Sequence, residues 1–292
     1  MQLLLRIAPR PETTRVLALD PIVAAACDLA DLVFVLDTSS EVFRRIVAIS
    51  RDTPGMWLNP VVQFSRREIA GSAWLQLETR GKIVGETPRE YEHNETVLKR
   101  CPLVSARQGT QIRLPENLAL SKIKLKPNEI GAVTNWLPEW VVPNFVTEVF
   151  RAAGLRCWKA KPLVNFRDNS FILGFAQLFT DAILPPAILD HTTRAVELAE
   201  GGGWRQLGCL TYEAEDLARL KADFLRTAED WSAFNVPIWV ISRAVRECFE
   251  RNKLRGWAFR PVLEAGSPLQ QEYTNIWENL FRLIGPVSNI HF

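Results

Sequence analysis

The stretch WVISRAVRECFERNKLRGWAFRPVLE, residues 239–264, repeats the pattern of WVVPNFVTEVFRAAGLRCWKAKPLVN, residues 140–165, without a gap. Each copy begins with an apolar run typical of a buried strand, continues with apolar residues at helical spacing, and ends in a tryptophan-led run that proline interrupts. We therefore predict a strand, a helix and a second strand in each copy. The shared pairs are Trp140/Trp239, Val141/Val240, Val146/Val245, Glu148/Glu247, Phe150/Phe249, Leu155/Leu254, Arg156/Arg255, Trp158/Trp257 and Pro162/Pro261.

The shared positions are mostly large and apolar, which indicates two related packing units rather than two catalytic sites. We predict that the paired tryptophans and phenylalanines lie in the core. The alternative is an aromatic cage around a ligand, and it requires exposed ring faces. Ser242 is a natural N-cap for the second helix, whereas Pro143 at the matching place predicts a first helix that begins about one residue differently.

A weaker third echo lies nearer the N-terminus. EVFR occurs at 41–44 and again at 148–151, and MWLNPVVQF at 56–64 is similar to CWKAKPLVNF at 157–166. The spacing from phenylalanine to tryptophan differs, so chance similarity is the competing interpretation. Whether residues 41–64 form a third repeat is left open by the sequence.

The rest of the chain alternates short strand-like and helix-like segments. We predict an α/β (α+β) fold in which helices pack on mixed sheets. Two regions are expected, an N-terminal α/β region at 1–100 and a repeat-bearing domain at 101–292, with the alternative of one compact unit. Predicted strands include LLLRI at 3–7, VFVLD at 33–37, MWLNPVVQF at 56–64, AWLQLETR at 73–80 and FILGFAQLF at 171–179.

Helix starts are marked by capping residues. Asp20 precedes proline, Ser39 or Ser40 precedes the helical run at 41–50, and Thr87–Glu90 forms a capping box. Further helices are predicted at 185–203, 216–231 and 269–285 from their apolar spacing.

Composition excludes several functional classes. Hydrophobic residues make up 47% of the chain and the formal net charge is +2, so we expect a globular protein that binds neither nucleic acid nor an anionic membrane through its overall charge. The apolar run at 21–36 contains Asp28 and Asp31 and is not expected to span a membrane.

The N-terminus lacks the pattern of a secretory signal. The scattered cysteines, Cys27, Cys101, Cys157, Cys209 and Cys248, favour free thiols and a cytoplasmic location.

Motifs for catalysis are incomplete. The glycine cluster at 201–208 has P-loop spacing, but Cys209 and Leu210 stand where lysine and a hydroxyl residue belong. Cys209 with His191 suggests a thiol and its base, yet a buried structural cysteine is the favoured interpretation. The other histidines, His93 and His291, complete no zinc pattern. We therefore predict no catalytic, cofactor-binding or metal-binding residue, and no cofactor.

Three lysines, Lys122, Lys124 and Lys126, are predicted to lie on one side of a possible strand. Such a stripe either contacts phosphate groups or protects an edge strand from aggregation, and we favour the second interpretation. The acidic runs at 89–95 and 212–223 alternate with basic residues in the manner of solvated helix faces.

The second copy resembles the C-terminal signature of bacterial immunity proteins, the partners of secreted polymorphic toxins that include contact-dependent and type VI effectors. In those proteins a serine, a helix and a Leu-x-Gly-x-x-Phe-x-Pro-Val run close an α/β domain. The matching residues here are Ser242, Leu254, Gly256, Phe259, Pro261 and Val262. Some of those proteins carry paired CxxCG motifs, which this chain lacks, so the resemblance implies no metal.

The resemblance implies a cytoplasmic protein that binds a cognate toxin and occludes its active or functional surface. The partner-binding residues are not identified by the sequence. Tryptophans outside the repeat pattern are candidate anchors: Trp57, Trp74, Trp136, Trp204, Trp231 and Trp277. The alternatives are a hydrolase or transferase that uses carboxylates in a cleft, and an adaptor of a secretion system.

Overall fold

The structure is a computed structural model. It describes residues 1–7, 11–27, 33–35, 40–53, 56, 58–80, 84–86, 117–133, 139–188, 195–197, 204–206, 208–229 and 237–284. The chain forms two compact units, one of Met1–Glu68 with Gly266–Phe292 and the other of Ile69–Ala265. The predicted region boundary at residue 100 lies outside the described residues.

The chain belongs to the α+β class, with helices packed on mixed sheets, as predicted. The described strands are β1 Gln2–Ile7, β2 Val33–Val35, β3 Leu58–Gln63, β4 Trp74–Thr79, β5 Leu118–Leu120, β6 Gly131–Ala132, β7 Trp140–Pro143, β8 Lys159–Asn165, β9 Phe171–Phe179, β10 Ala195–Glu197, β11 Trp204–Gln206, β12 Thr211–Tyr212, β13 Phe224–Arg226, β14 Trp239–Ser242, β15 Trp257–Pro261 and β16 Leu263–Glu264. The described helices are α1 Pro11–Leu19, α2 Pro21–Ala26, α3 Glu41–Asp52, α4 Arg66–Gly71, α5 Asn144–Ala152, α6 Ala214–Ala218, α7 Arg243–Arg251 and α8 Pro268–Ile284.

Capping fixes the starts of two helices in the first unit, as predicted. Asp20 accepts hydrogen bonds from the backbone N–H groups of Ile22 and Val23 at 3.0 and 3.1 Å. Ser40 Oγ accepts one from Phe43 N at 3.2 Å. These bonds satisfy donors that have no partner inside the helix, so α2 and α3 begin where the sequence indicates. The predicted capping box at Thr87–Glu90 lies outside the described residues.

Each repeat copy forms the predicted strand, helix and strand, and a third strand lies between its two strands. In the first copy β7 and β8 are both antiparallel to β9, which lies between them in a sheet of order β5-β8-β9-β7-β6. In the second copy β14 and β15 are both antiparallel to β4, in a sheet of order β13-β14-β4-β15. The central strand follows the first copy in the sequence but precedes the second copy.

In the two sheets, matching residues of the repeat copies pair with equivalent positions on the central strands. On the central strand of the first copy, Gln177 pairs with Val141 and Lys161. On that of the second copy, Gln76 pairs with Val240 and Arg260, which are the residues that match those two in the repeat. This register aligns WLQLET at 74–79 with FAQLFT at 175–180, a relation that our sequence analysis missed.

The sheet of the first unit has the same topology. β2 and β3 flank β1 and are antiparallel to it, and α3 connects them. Leu5 on the central strand pairs with Phe34 and Pro60, as Leu75 pairs with Ile241 and Pro261 in the second copy. The topology therefore supports a third repeat that includes residues 41–64.

The turns after α5 and α7 are also alike. Leu155 N donates to Phe150 O at 3.2 Å, and Leu254 N donates to Phe249 O at 2.9 Å, the six-residue closure of a Schellman turn. The residues before these leucines, Gly154 and Lys253, have φ angles of 67° and 52°. Two residues after each leucine, Cys157 and Gly256 have φ angles of 64° and 108°.

The two repeat helices begin at matching residues, so the predicted offset of one residue is wrong. Asn144 begins α5 and Arg243 begins α7. Ser242 occupies the N-cap position, but its side chain makes no capping bond. Its Oγ donates instead to Asp223 Oδ1 at 2.7 Å, and Asp223 Oδ2 accepts from the backbone N–H of Arg156 at 2.8 Å. The mostly buried carboxylate of Asp223 thus joins the two copies. Ser242 Oγ bonds to this carboxylate in place of a backbone N–H group of α7.

The repeated aromatic residues form the main core of the second unit. Trp140, Trp239 and Trp257 are buried, and Trp257 lies 5.7 Å from Trp140 and 5.5 Å from Phe249 between ring centroids. Trp158 is half-buried, packs edge-on against Phe150 and donates through Nε1 to Leu155 O at 3.0 Å. The core interpretation is confirmed, since these rings pack against each other rather than facing a ligand space.

Two predicted helices are wrong. Within 185–203, residues 195–197 form β10, which pairs with β11, and most of the rest lies outside the described residues. Within 216–231, helix α6 ends at Ala218, and Phe224–Arg226 form β13 beside β14. Burial of Phe224 and Leu225 on a paired strand outweighs the helical spacing of the same apolar residues. The C-terminal helix is confirmed as α8.

Candidate binding surface

Residues that the sequence offered for catalysis do not form a site in the described part of the chain. Cys209 is buried, as the structural interpretation predicts. His191, His93, His291 and the glycines at 201–203 lie outside the described residues. No group of three or more metal-ligating side chains occurs among the described residues. None of the described helices combines the length and the apolar character that crossing a membrane requires.

The lysine stripe is not a strand, contrary to the prediction. Lys122 has a φ of 53°, and its Nζ lies 2.7 Å from Glu86 Oε1. Buried and exposed side chains nevertheless alternate along the segment. Ile123 and Leu125 pack against a buried cluster, while Lys122, Lys124 and Lys126 are exposed. The lysines are therefore solvated side chains of an irregular segment.

Two of the six tryptophans proposed as anchors are buried and therefore unsuited to first contact with a partner, Trp74 and Trp277. Trp57, Trp136 and Trp231 lie outside the described residues, and Trp204 lies on β11.

A partly buried carboxylate lies just before β7. Glu139 Oε2 accepts a hydrogen bond from Gln177 Nε2 at 2.7 Å. Burial raises the pKa of Glu139 above its ordinary value, while the bond from Gln177 and the charges of Arg226 and Lys161 oppose that rise. Both cations also lie over the ring of Phe179, with Lys161 Nζ 3.5 Å and Arg226 Cζ 5.2 Å from its centroid. This cluster links the five-stranded sheet to β13 of the four-stranded sheet.

The raised pKa of Glu139 predicts a pH dependence of stability. The folded chain holds the proton of Glu139 more tightly than the unfolded chain, so the contribution of this group to stability falls as pH rises from the unfolded pKa through the folded one. Relative to Glu139→Gln, the wild-type chain should lose stability over that interval. Urea unfolding of both proteins between about pH 4 and pH 8 measures the difference, since an ordinary glutamate has a pKa of about 4.3. A pH-independent difference would contradict the prediction.

An exposed apolar strip lies on the hairpin of β8 and β9. Leu163 and Ile172 pair with each other and pack against a buried cluster. Because side chains alternate along a regular strand, Ala160, Pro162, Val164 and Phe171 point to the opposite face, and Leu173 follows at the start of a bulge. We call this set the hairpin strip. Its members are Ala160, Pro162, Val164, Phe171 and Leu173, of which Val164 is half-buried and the others are exposed.

The strip is exposed because β7, which pairs with β9, ends before it reaches the strip. Phe171 is 64% and Leu173 is 87% exposed. Pairing of β7 with β9 ends at Pro143 and Phe175, where the chain turns into α5. An irregularity in the β8–β9 register between Pro162 and Leu163 places Leu173 in a bulge. Bulges re-aim side chains, which explains how so large an apolar residue comes to face solvent.

The hairpin that carries the strip is basic. Residues 156–173 contain four cations, Arg156, Lys159, Lys161 and Arg167, and one carboxylate, Asp168. Lys159 and Arg167 are 65% and 55% exposed and pair with Asp181 and Glu86. The strip itself contains no charged residue. An uncharged apolar centre has the composition of the central part of a protein-binding surface.

Our sequence analysis placed Phe171 and Leu173 on a strand but did not single them out, because FILGFAQLF is a continuous apolar run with no sign of which members are exposed. No model of a known protein family matches the chain. A search of curated proteins likewise finds no match.

Proposed function

We propose that this chain is an immunity protein that binds a cognate secreted bacterial toxin and occludes its active or functional surface. The observation that carries the proposal is the exposed hairpin strip. Large apolar side chains that are exposed together mark interaction sites, because their burial is favourable by about 1.5–3 kcal/mol each. The resemblance of residues 242–262 to immunity proteins supports the same function.

The packing of the second unit suits an inhibitor. Its repeated aromatic residues pack against one another in the core, so the two copies form a stiff frame rather than a ligand pocket. A stiff frame loses little conformational entropy when a partner binds, which favours tight association. Phe171 and Leu173 would supply the anchors, while a standard interface of about 1,200–2,000 Å² needs further contacts around them.

The alternative of a carboxylate-dependent hydrolase or transferase is favoured by one observation, the raised pKa of Glu139. A carboxyl group that keeps its proton at higher pH is able to act as a general acid. Against this role, Glu139 is engaged by Gln177 and borders two cations, as expected for a structural carboxylate. The adaptor alternative has no described residue that favours it over a toxin partner.

Co-expression with the product of the adjacent upstream gene tests the proposal, because the proposal predicts that this product is the toxin. The wild-type chain should restore growth of cells that produce the toxin, and the two proteins should elute as one complex in gel filtration. Glu139→Gln should protect cells equally well, because the proposed mechanism needs no proton transfer. Persistent toxicity without a complex would reject the toxin-binding function, and loss of protection by Glu139→Gln with the complex intact would favour the enzyme.

A further inference from the structure

Two segments of the second unit carry the same basic pattern. KIKLK at 122–126 and RNKLR at 251–255 each have a cation at every second position. The apolar residues Ile123, Leu125 and Leu254 pack against buried clusters, whereas the cations are exposed. Each segment therefore presents a row of positive charge to solvent.

Hydrogen bonds hold the two segments together. Asn128 Nδ2 donates to Lys253 O at 2.7 Å, and Arg255 N donates to Asn128 O at 2.9 Å. Ile130 N donates in turn to Arg255 O at 2.8 Å. The cations of both segments therefore lie on neighbouring parts of the surface. We call five of them the basic patch, namely Lys124, Lys126, Arg251, Lys253 and Arg255.

The cations of the basic patch have no carboxylate partner in the part of the chain that the structure describes. Lys122 is left out of the patch because its Nζ lies 2.7 Å from Glu86 Oε1. The nearby carboxylate of Glu129 is half-buried and accepts a hydrogen bond from Lys126 N at 3.2 Å. A group of exposed cations without carboxylate partners produces a local positive potential that attracts anions.

The fold does not require these cations. Ala152 and Gly154 of the first copy stand at the places of Arg251 and Lys253, and both copies close the same Schellman turn. Lys253 has a φ of 52°, a backbone conformation that suits the glycine of the first copy better than a lysine. A lysine at such a position indicates a role for its charge.

Phosphate groups fit the basic patch better than the surface of a protein does. The segment 122–126 is not a strand, so protection of an edge strand does not explain its lysines. Protein-binding surfaces are poor in lysine and have an apolar centre. The exposed large apolar residues of the described chain all lie outside the two basic segments.

We infer that the basic patch binds the phosphate backbone of nucleic acid without reading its sequence. Its cations contact phosphate oxygens and displace the counterions of the nucleic acid, so the affinity depends steeply on salt. The two segments contain no aromatic residue on which a base could stack. The net charge of +2 does not indicate this site, because the positive charge is local. The inference goes beyond the proposed function and does not depend on the toxin.

Binding of a fluorescent DNA duplex of about 20 base pairs to the full chain, followed by anisotropy at about 50–200 mM salt, tests the inference. The wild-type chain should bind with a Kd of about 1–100 μM, and five phosphate contacts give a slope of log K against log salt of about −4.5. Arg251→Ala with Lys253→Gly introduces the residues of the first copy and should preserve the fold. It should weaken the affinity about 10-fold or more and make the slope shallower by about 2, because two contacts are lost.

Arg219→Ala with Lys221→Ala is the control, because it removes two exposed cations elsewhere in the second unit. Once circular dichroism shows that both variants are folded, the control should bind within about 3-fold of wild type. Equal losses for the two variants would overturn the inference, since they would assign the binding to net charge.

Two other results would also overturn the inference. One is a wild-type chain that does not bind the duplex at the lowest salt concentration. The other is binding to vesicles of phosphatidylglycerol and phosphatidylcholine, abolished by Arg251→Ala with Lys253→Gly, in the absence of duplex binding, because it would assign the patch to a membrane surface. The proposed function stands in either case, since the toxin takes no part in these measurements.

Discussion

Replacing Gly256 by alanine is expected to lower the free energy of unfolding by about 3–5 kcal/mol, the range of severe single-site effects. A Cβ atom at this position would lie 1.8 Å from the carbonyl oxygen of Ile130, and the φ of 108° is unfavourable for any side chain. The obstacle is backbone that cannot rotate away, because Ile130 N donates to Arg255 O at 2.8 Å and holds the two segments together. Urea unfolding followed by circular dichroism measures the loss.

Gly154→Ala is the matched control. Gly154 also has a positive φ, of 67°, but a Cβ there would meet no atom within 4 Å. We expect a cost of about 1 kcal/mol from backbone conformation alone. The first copy carries Cys157, with a φ of 64°, at the place of Gly256, so the matching turn accepts a side chain in the first copy. Equal losses for Gly256→Ala and Gly154→Ala would contradict the role assigned to Ile130.

Trp257→Ala is expected to cost about 3–5 kcal/mol, as large-to-small changes of buried aromatic residues do. The indole is buried and its ring centroid lies within 6.5 Å of the centroids of Trp140, Phe150, Phe224 and Phe249. These residues come from both repeat copies and from β13, so the cavity would open where the parts of the second unit meet. Thermal and urea unfolding both measure the effect.

Two further variants test whether packing of the Trp257 ring accounts for this loss. Trp257→Phe keeps an aromatic ring and removes an indole N–H that has no hydrogen-bond partner, so it should cost well under half as much as Trp257→Ala. Trp158→Ala, at the matching position of the first copy, should cost about 1–3 kcal/mol, because that ring is only half-buried. A larger loss for Trp158→Ala than for Trp257→Ala would show that the aromatic core is centred elsewhere.

Local signals made part of the fold predictable. The caps at Asp20 and Ser40 lie within a few residues of the donors that they satisfy, so the starts of α2 and α3 follow from short stretches of sequence. The duplicated tryptophans predicted both strand–helix–strand units and their burial. The prediction failed where a distant partner decides, as at Phe224–Arg226, which is a strand because β14 lies beside it.

The candidate surface was less predictable than the fold. Glu139 bonds to Gln177, and Asp223 bonds to Arg156 and Ser242. These partners are far from the two carboxylates in the sequence. Phe171 and Leu173 are exposed, but they belong to the same apolar run as Ala176 and Leu178, which are buried. The composition of the run does not indicate which of its residues are exposed. The separation arises where β7 ends beside Phe175.

The sequence by itself determined the repeat, its internal order of strand, helix and strand, and the apolar residues that both copies bury. These properties depend on spacing along one short segment, which side-chain periodicity reveals. Tertiary structure alone decided that β4 completes the second copy and β9 the first, and which apolar residues are left in solvent. The physical reason is that an extended strand offers the same hydrogen-bonding groups to every neighbour, so its partner is selected only when the whole sheet assembles.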